Sequence, residues 1–97
     1  MRTLKTIRED LRAIRGYYSM KKIIDEAEQT VGVSEVVKTV DEYNAAMREA
    51  PPWLYAIYYS LYVRNQTQNA LARELYYSTN NIYCMNNKLL QYLQTKF

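Results

Sequence analysis

Ninety-seven residues are enough for one domain with a single core and leave no room for a second. There is no histidine, and Cys84 is the lone cysteine, which excludes His/Cys metal centres, imidazole-assisted nucleophiles and an internal disulfide. The net charge of +3 is unevenly placed: residues 1–50 hold nine Lys or Arg against nine Asp or Glu, whereas residues 51–97 hold Arg64, Arg73, Lys88 and Lys96 against Glu74 alone.

Gly and Pro total four, and Ala, Leu, Glu, Lys, Gln and Arg are spread throughout, a composition that predicts an all-α chain. The reading is a single domain over 1–97, a small helical bundle of four to five helices. Residues 1–50 form an N-terminal helical part and residues 51–97 a part ending in a helix-turn-helix. The opening MRTLKTIRED carries acids where a secretory signal needs an apolar run. The longest apolar-looking stretch, Pro52 to Val63, falls short of the ~20 residues that span a bilayer. A cytoplasmic protein with no membrane partner is expected.

The first helix should start near Arg2 or Thr3. Leu4, Ile7, Leu11, Ile14 and Tyr18 recur by three and four, a heptad seam with Arg8, Glu9, Asp10, Arg12 and Arg15 off it. Such a seam can pack on the chain's own core or against a second copy. The pattern drifts past Gly16 to Met20, Ile23, Ile24 and Ala27, and glycine allows a bend there. Gly32 suits a stop and Ser34 a cap. Val36, Val37, Val40, Tyr43 and Met47 then line one face of a second helix. The valines suit a strand, but the spacing out to Met47 runs too long for one.

Pro51-Pro52 ends that helix and opens a third, Trp53 to Val63, with Leu54, Ile57, Tyr58, Leu61 and Tyr62 on one side. Its tyrosines read as core and amphipathic surface rather than a base-stacking platform. Thr67 caps a fourth helix carrying Ala70, Leu71, Ala72 and Leu75. Leu75 is expected where this helix, the third and the last one meet, so that Leu75→Ala would be costly. Tyr76-Tyr77 breaks the rhythm, and Ser78 caps a last helix with Ile82, Met85, Leu89 and Leu93 facing inward. Asn80, Asn81, Cys84, Asn87 and Lys88 fall on the opposite face. A short helix, a tight turn and a longer helix with a polar outer face is the helix-turn-helix arrangement.

Pro52 to Leu93 resembles region 4 of a bacterial sigma factor. The landmarks are the proline-led helix ending at Leu61-Tyr62-Val63, the polar turn Arg64-Asn65-Gln66, the Thr67 cap, the core Leu71-Ala72-Arg73-Glu74-Leu75, and Ser78 followed by Ile82. Together with the looser Gly16–Ala27 stretch, GYYSMKKIIDEA, the chain resembles small phage transcription regulators of the ArpU and RinA type. Two departures stand out. Tyr76 occupies a turn position where the family has Gly, a residue suited to positive φ, and the outer face is rich in Asn where relatives carry Arg and Lys.

The resemblance implies a phage-type, sequence-specific DNA-binding transcription regulator whose last helix enters the major groove. Asn80, Asn81, Cys84 and Asn87 would meet bases, since Asn can pair bidentately with adenine. Arg64, Thr67, Arg73, Ser78 and Lys88 would meet phosphates. The partners implied are double-stranded DNA and, because region 4 docks on it, RNA polymerase. Four cations in residues 51–97 fall short of the roughly 6–10 phosphate contacts of well-bound regulators. A homodimer through the Leu4–Tyr18 seam, N-terminal cations such as Lys21 and Lys22, or a polymerase partner would meet the shortfall; the seam favours the homodimer, which Leu11→Asp would then separate. The competing reading is a protein-binding module that docks on host machinery, favoured by eleven tyrosines. Neither reading makes the chain an enzyme or needs a cofactor. Glu9-Asp10, Asp25-Glu26 and Asp41-Glu42 are adjacent pairs that diverge on a helix, and two isolated glycines build no phosphate loop.

Overall fold

The computed structural model describes residues 2–21, 26 and 35–97. Among them are five α-helices and no strand: α1 (Leu4–Ser19), α2 (Glu35–Met47), α3 (Pro52–Tyr58), α4 (Gln68–Leu75) and α5 (Thr79–Lys96). The expected positions of Ile23, Ile24, Ala27, Gly32 and the Ser34 cap lie outside the described residues. Thr3 starts α1, its hydroxyl accepting the Thr6 N–H at 3.1 Å. The helix runs through Gly16 to Ser19. The valines of α2 are helical, with Val40 buried and Val36 and Val37 half-buried against the core.

The third helix departs from regularity. α3 stops at Tyr58 and Tyr59–Val63 form a π-helical turn, in which the Arg64 N–H reaches back to the Tyr59 carbonyl at 2.8 Å. Asn65 follows in the left-handed region, φ 58°, which Asn tolerates better than most residues. Its amide donates to the Ser19 hydroxyl at 2.7 Å, tying this corner to the end of α1.

α5 is the central element and packs against all four other helices. Ile82, Leu89, Leu90 and Leu93 are buried along it. Met85 of the expected inward stripe is only half-buried, and Leu90 is drawn in instead. The heptad seam is internal. Ile7, Leu11 and Ile14 are 0–1% exposed within the chain's own core, and Leu4 and Tyr18 pack against its edge. The expectation of a dimer seam is therefore corrected, because a side chain covered by its own α5 and α2 has no surface to offer a second copy.

Several tyrosines act as polar ties. The Tyr43 hydroxyl donates to Asp10 at 2.7 Å, Tyr58 to Asn44 at 2.8 Å, and Tyr92 to the Ala46 carbonyl at 2.9 Å. Burial first, and for Tyr43 the neighbouring Asp10 carboxylate as well, push the Tyr43 and Tyr58 phenols well above their ordinary range. The chain ends are clasped together by Arg2. Its guanidinium pairs with Glu42 and lies 4.1 Å from the Phe97 ring centroid.

Candidate nucleic-acid interface

The polar face of the C-terminal half is built by two caps and one turn. The Thr67 hydroxyl accepts the Ala70 N–H at 3.0 Å and so starts α4. The Ser78 hydroxyl accepts the Asn81 N–H at 3.1 Å and so starts α5. Tyr76, Tyr77 and Ser78 separate the two helices. The Tyr77 N–H returns to the Ala72 carbonyl at 2.9 Å and the Tyr76 N–H to the Arg73 carbonyl at 3.3 Å, the paired bonds of a Schellman stop. Tyr76 takes the left-handed conformation that motif needs, φ 57° and ψ 35°. Its side chain is 95% exposed, so no burial offsets the backbone cost. Tyr76→Gly should therefore stabilise the domain by up to about 1 kcal/mol, a Tm rise of roughly 4–8 °C. An unchanged or lowered melting temperature would show that the side chain contributes something at this turn.

Inward-facing Ile82, Leu89 and Leu93 fix the rotation of α5. Asn80, Asn81, Cys84 and Lys88 are exposed on the side away from the core, and Asn87 is half-buried at its edge. These five residues thus share one outward face. The Thr79 hydroxyl donates to Asn69 at 3.1 Å, linking the start of α5 to α4. Arg64 and Arg73 are exposed on the flanking segments. The Lys88 ammonium lies 5.9 Å from the Trp53 ring centroid, a position that orients it without neutralising it. Lys96 is held by Glu49 at 2.7 Å, which also draws the Glu49 carboxyl below its usual range.

Leu75 is a correction. It is 40% exposed, while Leu71 and Ala72 carry the burial of α4. Leu75 is the last residue of an eight-residue helix, and no further turn covers it. Sequence reading also missed a second cationic group. Arg8, Arg12 and Arg15 on α1 line a cavity of about 220 Å³ with Tyr62 and Asn86, over a floor of Leu11 and Leu90. The balanced charge count of residues 1–50 concealed it. Four of the nine acids of that half are engaged elsewhere: Asp10 with Tyr43, Glu42 with Arg2, Glu35 with Lys38 and Glu49 with Lys96. The i, i+4, i+7 spacing of the three arginines was the available signal.

The fold defines a small all-α domain whose last two helices meet at a three-residue turn. Compared with known proteins, the chain matches no family model, no curated protein and no solved structure.

Proposed function

We propose that the chain is a sequence-specific DNA-binding transcription regulator of phage type, with α4 and α5 as its helix-turn-helix. The observation that carries this reading is the outward face of α5. Asn80, Asn81, Cys84 and Lys88 stand exposed on one side of a helix whose other side is locked into the core. Asn80 and Asn81 offer bidentate contacts to adenine, with Cys84 and Asn87 beside them. Lys88 on that face and exposed Arg64 and Arg73 on the preceding segments offer positive charge, and the Thr67 and Ser78 hydroxyl protons are free to donate to phosphate oxygens. A rigid support for the reading helix suits base recognition, since α5 is anchored on four other helices.

Site selection from random duplexes, followed by affinity measurements on the selected and a scrambled duplex, tests the proposal. Asn80→Ala and Asn81→Ala should each weaken the selected site by about 1–3 kcal/mol, roughly five- to 150-fold. Binding to the scrambled duplex should stay nearly unchanged, because phosphates set that background. Equal losses on both duplexes would count against base readout.

One observation favours the second reading, a module that docks on a protein such as RNA polymerase. Tyr55 and Tyr59 are both exposed and stacked, with ring centroids 6.2 Å apart and planes 17° from parallel. Exposed aromatics of this kind anchor protein interfaces. Absence of any selected duplex, with retained capture of polymerase that Tyr55→Ala abolishes, would establish that reading instead.

A further inference from the structure

The cleft between α1 and α5 holds three guanidiniums and no acid in its lining. Among the described residues, no ion pair involves Arg8, Arg12 or Arg15. Like charges one helical turn apart on the same cavity wall repel, so the arrangement favours an anion between them. The donors are well suited to a tetrahedral oxyanion. Each guanidinium is a planar fork that can grip two oxygens. Tyr62 donates its hydroxyl proton to the Asn86 carbonyl oxygen at 2.5 Å, and Asn86 lines the cleft with its amide N–H groups not used in that bond. Leu11 and Leu90 close the floor and exclude water from beneath the charges. The field of Arg15 and Arg8 is felt at the Tyr62 phenol, where it opposes the upward push of burial.

We propose that Arg8, Arg12, Arg15 and Asn86 form a phosphate-binding cleft. Asn86 is turned about 100° around α5 from Asn87 and lies on the side of buried Leu90 and Leu93, so the cleft is on the α1 side of the helix, away from the outward Asn80–Lys88 face. The ligand that fits is a small phosphorylated molecule, and neither it nor the cleft rests on the DNA-binding reading.

Two measurements on the full chain test the site. In the first, inorganic phosphate at millimolar concentration is titrated while the Asn86 side-chain amide resonances are followed by NMR. They should shift saturably in the wild type and not in Arg12→Gln or in the triple variant Arg8→Gln/Arg12→Gln/Arg15→Gln. In the second, affinity for a random duplex is measured against salt. The slope of log K on log salt should stay at the wild-type value in the triple variant, because the cleft faces away from the outward side of α5; a fall of about 0.9 per arginine would show DNA phosphates there and overturn the small-ligand assignment. Saturable phosphate binding with no duplex binding would sustain the cleft, assign it to a small phosphorylated ligand and remove the DNA reading. Duplex binding with an unchanged slope in a folded triple variant, and no phosphate response at Asn86, would overturn the cleft and leave the DNA reading standing.

Discussion

Ile14→Asp should unfold the domain. Ile14 is 0% exposed and belongs to the central core cluster. An unpaired carboxylate there faces a desolvation penalty of several kcal/mol even after relaxation. Domains of this size have total stabilities of only about 5–15 kcal/mol, so the variant loses most or all of its folded population. Far-UV circular dichroism should show loss of helix at 25 °C. The experiment also decides between the two homes of the heptad seam. If Leu4, Ile7, Leu11, Ile14 and Tyr18 joined two copies, the variant would stay helical and halve its mass by light scattering. Leu11→Asp is a poorer probe, because Leu11 lies under Arg8, Arg12 and Arg15, which could neutralise the new charge.

Leu89→Ala should cost about 2–5 kcal/mol, the range for emptying a leucine site in a packed core. Leu89 is fully buried on α5, the helix every other helix leans on. Leu75→Ala should cost no more than about 1 kcal/mol, since Leu75 leaves much of its side chain in water and transfer energy scales with buried area. Urea melts of the two variants side by side provide the check. Equal losses would mean that Leu75 is covered, and that α4 sits deeper against the core than the structure places it.

Local signals in the sequence determined a good deal. The i, i+3/i+4 recurrence of Val40, Tyr43 and Met47 outweighed the strand preference of the valines, because a helix buries that stripe and a strand cannot. Thr67 and Ser78 start helices because a hydroxyl beside a free first-turn N–H is a local chemical fit that tertiary packing need not supply. The positive φ at Tyr76 was suggested only by the resemblance, whose members have Gly there; with a bulky residue in place the sequence left another turn geometry open, and the structure keeps the left-handed one. The outward face of α5 followed from its inward stripe, since 3.6 residues per turn fixes the one once the other is known.

Other features were decided only by the tertiary structure. Periodicity shows which side of α1 is apolar but not what covers it. The packing of α1 on α2, the π-helical turn and α5 took the seam inside. Leu75 shares the helical face of Leu71, yet the chain turns away before anything covers it. The extra residue of the π turn at Tyr59–Val63 belongs to no sequence pattern, since its bonds differ from those of an α-helix by one residue of register. Charge shows the same division most clearly. Nine cations and nine acids in residues 1–50 sum to nothing, but electrostatics acts through distance. Folding paired Asp10, Glu42, Glu35 and Glu49 elsewhere, and it brought Arg8, Arg12 and Arg15 to Tyr62 and Asn86, residues more than forty-five positions away along the chain.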